Sequence, residues 1–452
     1  MIGSVAIFTV GSAVAGAANN GEVLIVGRAI QGLGSGGLNM LVDLILCDIV
    51  PLRERGKYIG LINAIFAIGL FVGPFLGGTI VEHSSWRWIF WMNLPIGAVS
   101  MVSLYLFLQV KFVKAPFSER IRRIDYLGNL LVLGSATAIL YALTYAGTTY
   151  KWTDGRILAP LITGAVGMAV FHWYEASRNC KYPTIPSRLF GNRTSSVAFF
   201  LTFIHALITV WTLYFLPVYF QAVQLVSPSR SGVHILPTVL GMLPAAIIAG
   251  QYLARTGKYK LLHITGMALL TGGLGSFAAL DATSHTALWV CVQLITSLGN
   301  GIIATSLLPA VQAGLTDEDN ALSTSTWSYI RNYGAIWGVT IPASVFNNIF
   351  SKNLWKIGDP AVRATLGDGN AYAYGAKEFV LSFPQSVQNS VVGVYTTSLR
   401  LSWVAAAAIA GLSAVFTLFE VDIPLRESLR TEFGIKEKKK PVEDEEKNEK
   451  RS

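Results

Sequence analysis

The chain has 452 residues, of which 52% are hydrophobic and only 13% are charged, and its formal net charge is +9. Soluble globular proteins carry roughly 25% charged residues, so this composition indicates a membrane protein; because the cations lie mainly in short loops between apolar stretches, the positive charge gives no reason to expect nucleic-acid binding. The three cysteines, Cys47, Cys180 and Cys291, are an odd number without metal-ligand spacing, so neither a disulfide framework nor a metal site is expected.

Apolar stretches of about 20 residues, the length that a helix needs to cross a bilayer, follow one another along the chain. The predicted fold is therefore an all-α polytopic membrane protein with about twelve transmembrane helices. In chain order the predicted spans cover residues 2–18, 22–50, 57–81, 86–109, 124–146, 156–174, 196–224, 233–254, 261–280, 286–313, 322–349 and 398–421.

The loops between these spans differ in charge. One set, around residues 53–57, 111–123, 178–193 and 255–260, carries fifteen Lys and Arg, whereas the short loops of the opposite set carry four, Arg87, Lys151, Arg156 and Arg230. Because cytoplasmic loops are enriched in cations, the first set and both termini are predicted in the cytoplasm. The segment 351–388 is then predicted outside, as a solvated loop or as a cover over a pathway mouth, and the solvated loop is favoured. Residues 422–452 are predicted as a disordered cytoplasmic tail, because most of them are polar and mixed in charge.

The second span contains GRAIQGLGSGG, with G-x-G-x-x-G at Gly32, Gly34 and Gly37. This spacing cradles a dinucleotide only where it joins a strand to a helix, and no strand is predicted here. Inside a membrane helix, small residues let neighbouring backbones approach closely. The motif therefore predicts helix packing.

The same span carries a polar stripe, because Arg28, Gly32, Ser35, Asn39 and Asp43 are spaced by three or four residues and share one helix face. Asp43 is the only carboxylate well inside any predicted span. A buried ionised group usually pairs or lines a cavity, so Asp43 is either a proton-coupling residue or part of a structural ion pair. Arg28 is a second proton-coupling candidate or an interfacial cation; it lies about 22 Å along the helix from Asp43, too far for a direct pair.

Further polar side chains lie at membrane depth in the second half. His205 is a candidate proton relay or a hydrogen-bonded core residue. Arg331 is a candidate for binding an anionic substrate group, for pairing with a carboxylate, or for bracing the two halves. Asn39 and Arg331 are also candidates for the wall of a substrate cavity. The seventh span adds aromatic rings and amides, which suit amphipathic ligands. These further candidates are Trp211, Tyr214, Tyr219, Gln221 and Gln224.

The third span reads GLFVGPFLGG over residues 69–78. Its small residues, Gly69, Gly73, Gly77 and Gly78, offer a face for close helix contact, and Pro74 interrupts the helical hydrogen bonding. These five residues are predicted to serve helix packing and gating.

The two halves of the chain share a weak repeat. Gly34 precedes Gly73 by the same number of residues as Gly299 precedes Gly338, and LGSG at 33–36 matches LGNG at 298–301 in that register. Repeated helical halves around a midplane site are typical of secondary transporters, in which one half rocks against the other.

These motifs resemble those of the major facilitator superfamily. GRAIQGLGSGG with Arg28 resembles its motif B, GLFVGPFLGG resembles its antiporter motif C, and SWRWIFWMNLPIG at 85–97 resembles a hallmark of fungal members of the fourteen-helix drug/proton antiporter branch. PLRERGKY at 51–58 is similar to the intervening loop, and GQYLARTGKYK at 250–260 to the second copy of motif A. In that family motif C lies in the fifth helix, so the resemblance implies that this chain corresponds to helices 3 to 14 and lacks the first two.

The resemblance also implies a domain plan and a function. Residues 1–110 would form an incomplete N-terminal half, 111–194 a central linker with two extra helices, and 195–421 the C-terminal half with an outer loop near 351–395. The implied function is proton-coupled efflux of a small amphipathic molecule, such as a drug, toxin or fungal secondary metabolite, by alternating access. The implied partners are that substrate, protons and the bilayer, with no cofactor and no required oligomer, in the plasma membrane or else a vacuolar or vesicle membrane.

Other function classes remain as alternatives. An uptake transporter for a nutrient or metal chelate has the same composition, and a receptor or degenerate transporter predicts binding without flux. An enzyme is not expected, because the spans contain neither H-E-x-x-H nor G-x-S-x-G.

Overall fold

A computed structural model describes residues 1–108, 124–146, 149–177, 180–316 and 319–426. Within these ranges the chain consists of helices and their connections, with one isolated bridge between Ala146 and Tyr150. The loop cations predicted at 111–123 and the predicted tail from residue 427 onward lie outside the described residues. The all-α prediction is confirmed.

The helices are grouped here by the predicted domain plan, as an N-terminal half, a central pair and a C-terminal half. The N-terminal half consists of α1 (Ile2–Gly16), α2 (Gly21–Ile49), α3 (Leu52–His83), α4 (Trp88–Trp91) and α5 (Asn93–Phe107). The central pair is α6 (Tyr126–Tyr145) and α7 (Gly155–Ala176). The C-terminal half consists of α8 (Arg193–Val218), α9 (Pro228–His234), α10 (Leu236–Thr256), α11 (Lys260–Phe277), α12 (Thr286–Ala313), α13 (Asn320–Asn353), α14 (Pro360–Leu366), α15 (Lys377–Leu381) and α16 (Gln385–Phe416).

Each predicted span coincides with a helix or a pair of consecutive helices. Eight segments are long and apolar enough to cross a membrane: Gly21–Ile49, Trp88–Phe107, Tyr126–Tyr145, Gly155–Ala176, Arg193–Val223, Pro228–Thr256, Thr286–Ala313 and Gln385–Phe419. Within the described part of the chain, the remaining predicted spans, on α1, α3, α11 and α13, do not meet that criterion. The last span begins at Gln385 rather than at the predicted 398 because its first three turns, although polar, continue the same helix.

Local signals set many helix boundaries. The Asn20 side chain accepts a hydrogen bond from the Val23 backbone N–H at 2.9 Å, and the Asp154 and Asn192 side chains cap α7 and α8 in the same way. Such caps satisfy backbone donors that have no partner within the helix. α10 ends at Gly257, whose φ of 67° lies in the left-handed region that glycine adopts without steric cost.

Small residues set the closest helix contacts in both halves. In the N-terminal half, a Cβ placed on Gly27 would lie 2.6 Å from the Ala15 backbone nitrogen, so α2 packs against α1 without room for a side chain. In the C-terminal half, a Cβ on Gly299 would lie 2.6 Å from the Gly266 carbonyl oxygen of α11. The predicted packing role of the GRAIQGLGSGG motif is therefore observed at Gly27 and Gly34, and the repeat predicted from Gly34 and Gly299 corresponds to similar contacts with the preceding helix.

The two halves pack closely at one end of the bundle, here called the closed end, and α3 also contacts α9 elsewhere along its length. There α3 crosses α10 so closely that a Cβ on Gly60 would lie 2.8 Å from the Ala246 carbonyl oxygen, and Gly250 faces the Gly56 backbone in the same way. Around this crossing, a buried apolar cluster joins residues of both halves, including Cys47, Leu52, Ile59, Leu253 and Leu308. The loop cations at 53–57 and 255–260 lie at this end.

The segment between α13 and α16, predicted to lie outside and here called the outer segment, is folded. Its apolar side chains Ile357, Val362, Leu366 and Val380 are buried in the same core as α8 and α16. The Tyr395 hydroxyl on α16 also donates a hydrogen bond to the Ala371 carbonyl at 2.6 Å. The favoured prediction of a solvated loop over 351–388 is therefore wrong, because these side chains bury enough apolar surface to hold the segment against the bundle.

The start of the predicted tail is also ordered by contacts. The Ile423 N–H donates to the Tyr259 hydroxyl at 2.8 Å, and Leu425 is buried in the apolar cluster at the closed end. Burial raises the pKa of Tyr259 to about 12, so its hydroxyl stays protonated and donates to the Val421 carbonyl. The predicted disorder from residue 422 is wrong for residues 422–426.

Candidate functional site

An ion pair connects α2 of the N-terminal half to α13 of the C-terminal half. Asp43 on α2 accepts a hydrogen bond from the Arg331 guanidinium on α13, with 3.1 Å between Oδ2 and Nη2. The Asp43 side chain is 8% exposed and that of Arg331 is 27% exposed. The guanidinium also lies 4.4 Å from the centre of the Trp327 ring, which attracts a cation through its π face. The two residues that sequence placed in separate candidate roles therefore form one site.

Arg28 belongs to a different network. Its guanidinium donates to Gln31 Oε1 at 2.7 Å, and the Gln31 amide donates to the Ser12 hydroxyl of α1 at 2.8 Å. Arg28 itself is exposed at the other end of α2. The structure thus separates Arg28 from Asp43, as their spacing along the helix predicts, and ties Arg28 to the packing of α1 on α2.

His205 lies in the core of the C-terminal half. Its Nε2 contacts the Asn300 side-chain oxygen on α12 and lies 3.3 Å from the Asn300 carbonyl oxygen. The Thr209 hydroxyl lies 3.1 Å from the same side-chain oxygen. His205 is hydrogen-bonded within its own half and does not contact the Asp43–Arg331 pair.

A polar cluster that sequence reasoning missed holds the closed end. Arg55 on α3 is fully buried and donates to the Gln312 side-chain oxygen at 2.5 Å and to the Cys47 carbonyl at 2.6 Å. It also lies 3.4 Å from the Asn320 side-chain oxygen, while the Gln312 amide donates to the Thr324 hydroxyl at 2.9 Å. Arg55 was counted only as a loop cation, and no local pattern relates it to a glutamine 257 residues away.

Two adjoining cavities lie beside α8. The first, the inter-half cavity, has a volume of about 540 Å³ and is bordered by α3, α8 and the outer segment, with Gly69, Gly73, Tyr214, Gln221 and Tyr372 in its wall. The second, the C-half cavity, has a volume of about 170 Å³ and lies between α8, α9, α10 and α12. Leu213, Pro217 and Gln221 border both cavities, so a molecule in one touches the wall of the other.

The outer segment supplies an unpredicted wall residue. The Tyr372 ring packs 5.1 Å from the Phe215 ring, and its hydroxyl lies 3.4 Å from the Tyr214 carbonyl. Burial raises the pKa of Tyr372 to about 12, so this hydroxyl is protonated at physiological pH. The alternative prediction for 351–388, a cover over a pathway mouth, matches this position better than the favoured one.

Several predicted cavity residues have other surroundings. Trp211 is fully buried in the core and lines neither cavity. The Tyr219 hydroxyl donates to the Asp281 carbonyl at 2.9 Å, and the Gln224 amide donates to that hydroxyl, so both tie the outer end of α8 to the next loop. Neither lines these two cavities, although Gln221 of the same π-helical turn, Tyr219–Val223, lines both, so their assignment to a substrate cavity stays a prediction.

Gln221 is the predicted cavity residue of this stretch that lines both cavities. Asn39 is half-buried one helical turn before Asp43, and Arg331 lies in the ion pair rather than in either cavity wall. Polar and aromatic residues of one span thus divide between the wall and the core, which composition alone does not distinguish.

The glycines of α3 differ from those of α13. Among the described residues, a Cβ on Gly69, Gly73 or Gly77 would meet nothing within 4 Å, whereas Gly334 and Gly338 press against the backbone of α8. The predicted close helix contact is therefore absent at these three α3 glycines in the described structure, and two of them border the inter-half cavity instead. The side-chain surroundings of Pro74 and Gly78 lie outside the described part, and a gating role for the motif stays a prediction.

One group of side chains that could bind a metal ion was not predicted from the sequence. One ligand atom each from Asp125, Glu175 and Cys180 lies within 4.8 Å of the others, although the residues are far apart in the chain or lie in different elements. The Glu175 carboxylate already accepts the Thr184 and Ile185 backbone N–H groups at 3.2 and 3.0 Å. The group fastens the loop after α7 to the start of α6.

Comparison with known proteins identifies what the chain resembles. The family model of the Major Facilitator Superfamily matches residues 1–339. An MFS-type transporter, gkaD, of Penicillium citrinum is 47% identical over 448 residues, which are 99% of this chain and 77% of that protein. An MFS-type efflux transporter, ffsH, of Aspergillus flavipes is 42% identical over 441 residues, which are 97% of this chain and 78% of the relative.

A solved structure supports the same fold. The proton:xylose symporter XylE, bound to 6-bromo-6-deoxy-D-glucose, superposes with a TM-score of 0.51 over 94% of this chain and 81% of that one. The sequence identity is 13%, so this likeness speaks for the fold alone.

Proposed function

Because the chain belongs to the major facilitator superfamily, we propose that it exports a small amphipathic molecule in exchange for protons by alternating access. Membership makes it a multi-pass membrane transporter and not an enzyme. Export is favoured over uptake because relatives at 41–42% identity are named efflux transporters or efflux pumps.

The Asp43–Arg331 pair is the observation on which proton coupling rests. Its two charges come from different halves, so the pair stabilises the arrangement in which α2 and α13 are close. Protonation of Asp43 removes one charge and weakens the attraction, which lets the halves separate; release of the proton restores it. A buried pair that forms and breaks with protonation is a direct way to couple a proton to a rocking motion.

We propose the orientation of the molecule in the membrane from the distribution of its loop charges. The closed end carries the cationic loops at 53–57 and 255–260, so we place it in the cytoplasm, together with both termini. The inter-half cavity then lies toward the outer side, below the outer segment. We take this as the outward-facing state of an exporter in the plasma membrane.

The proposal is tested by dye export from yeast cells that lack their own drug pumps. Cells expressing the wild-type protein are loaded with Nile red, which is uncharged, or rhodamine 6G, which is a cation, and efflux is followed at external pH 5 and 8. The wild-type protein should export at least one dye, faster at pH 5. Asp43→Asn should abolish the pH dependence, whereas Glu22→Gln, an exposed carboxylate on the same helix, should keep it. Export by Asp43→Asn with the wild-type pH dependence, or no export of either dye by the wild type, would contradict the proposal.

A further inference from the structure

The wall of the C-half cavity is apolar and uncharged. Its polar groups among the described residues are hydroxyls and amides, including Thr209, Thr212, Thr238, Gln221 and Asn300. Moving a charge from water into such surroundings without a partner costs several kcal/mol or more, whereas a neutral group that makes a hydrogen bond can be accommodated. The cavity therefore favours an uncharged ligand.

The direction of the Asn300 side chain follows from His205. The His205 Nε2 faces two oxygens, the carbonyl and the side-chain oxygen of Asn300, and oxygens of this kind can only accept. Nε2 must therefore carry a hydrogen, which fixes the tautomer of His205. A rotated Asn300 amide would set its NH₂ against that N–H, so the oxygen stays on the histidine side.

The Asn300 amide nitrogen is thereby left for the cavity. Asn300 lines the C-half cavity, and among the described residues its Nδ2 makes no hydrogen bond that would occupy it. A ligand oxygen in the cavity would supply an acceptor for this NH₂ group, and the hydrogen bond between them would stabilise the bound ligand. The cavity is therefore suited to a ligand that carries an acceptor oxygen as well as an apolar part.

We propose that the C-half cavity binds the apolar part of the transported molecule and that Asn300 donates a hydrogen bond to an uncharged acceptor oxygen on it, such as a carbonyl, ester or ether. His205 is a positioning residue that holds the Asn300 amide through its oxygen. This assignment rests on the proposed transport function and narrows its substrate to uncharged, oxygen-bearing apolar molecules. The adjoining inter-half cavity, joined through Gln221, gives room for the rest of the molecule.

Ligand binding to the purified protein tests this inference without transport. Nile red, which has a carbonyl oxygen and no charge, is titrated in lipid nanodiscs and detected by its fluorescence. Asn300→Leu keeps the size of the side chain and removes the donor, so the Kd should rise about tenfold, the effect of one hydrogen bond. Asn348→Leu is the matched control, because Asn348 lies in a predicted span and lines neither cavity; its amide donates within its own helix and its oxygen accepts from Trp152 at 3.4 Å. The Kd of this variant should not change.

A second pair of variants separates positioning from general structure. His205→Leu should weaken Nile red binding as Asn300→Leu does, and His205→Gln, whose amide can donate to the same oxygen, should recover part of the affinity. The wild-type protein should also bind Nile red more tightly than pyrene, which has no acceptor oxygen, and Asn300→Leu should remove that preference. The comparison of Nile red with pyrene on the wild-type protein tests the inference even if one variant folds poorly.

The outcomes distinguish this inference from the proposed function. The inference is overturned if wild-type protein does not bind Nile red, if Asn300→Leu binds it as the wild type does, or if Asn348→Leu loses as much affinity. Proton-driven export of rhodamine 6G in cells would then still support the transport proposal. Conversely, a donor effect at Asn300 together with pH-independent export by the wild type would support the cavity and refute proton coupling.

Discussion

Arg55→Met is expected to open the closed end of the bundle. Methionine fills most of the volume of the arginine but offers no donor, so the change removes the hydrogen bonds that Arg55 makes across the halves. The bond to the Gln312 side chain, at 2.5 Å, joins α3 to α12, whereas the 3.4 Å contact with Asn320 adds little. Its bonds to the Cys47 and Val50 carbonyls stay within its own half.

The size of the effect is worked from the bond to Gln312. A hydrogen bond from a charged donor contributes about 1.5–3 kcal/mol, and each 1.4 kcal/mol is a factor of ten in an equilibrium. The population open at this end should therefore rise about 10- to 150-fold. Gln312 also loses the partner of its oxygen, which places the result toward the upper part of this range.

Chemical labelling of Cys47 can report the opening of the closed end. Cys47 is fully buried at the closed end, with its sulfur 3.8 Å from the Gln312 amide nitrogen. In a background of Cys180→Ser and Cys291→Ser, the rate of Cys47 labelling by N-ethylmaleimide measures the open population. Arg55→Met should raise this rate by the same factor.

A matched arginine provides the control. Arg87 donates to the Ala18 carbonyl within the N-terminal half, so Arg87→Met removes a bond of similar kind that does not cross the halves. Its Cys47 labelling should stay within about twofold of the parent. A labelling rate unchanged by Arg55→Met, or raised equally by Arg87→Met, would refute the assignment of Arg55 as an inter-half bond.

Two further changes probe the same architecture. A Cβ on Gly250 would lie 2.5 Å from the Gly56 carbonyl, so Gly250→Ala should force α10 from α3, raise Cys47 labelling and reduce export, whereas Gly272→Ala, with open space around it, should do neither. Tyr219→Phe removes the hydroxyl that bonds the Asp281 carbonyl, so thermal unfolding should show a loss of roughly 1 kcal/mol while the Kd for Nile red is unchanged. A large change in the Kd of Tyr219→Phe would place Tyr219 in the cavity wall. Export by Gly250→Ala at the wild-type rate would show that transport tolerates a wider separation of α3 and α10.

The sequence alone determined the class of fold and the helices. Backbone groups in a bilayer must be satisfied within the segment, so an apolar run of sufficient length has one stable conformation, and its caps and glycines are local features. The same holds for the packing of α2 on α1, where Gly27 and Gly34 are readable as a small-residue motif. The family also followed from such ordered local motifs.

Only the tertiary structure decided which polar groups meet. Asp43 pairs with Arg331 across 288 residues, and Arg55 with Gln312 across 257, and no periodicity links such positions. Tyr219 and Gln221 lie in the same turn at the end of α8, yet Gln221 lines both cavities and Tyr219 lines neither. The physical reason is that burial, charge pairing and cavity shape depend on how helices from the two halves pack, whereas the sequence pattern specifies each helix by itself.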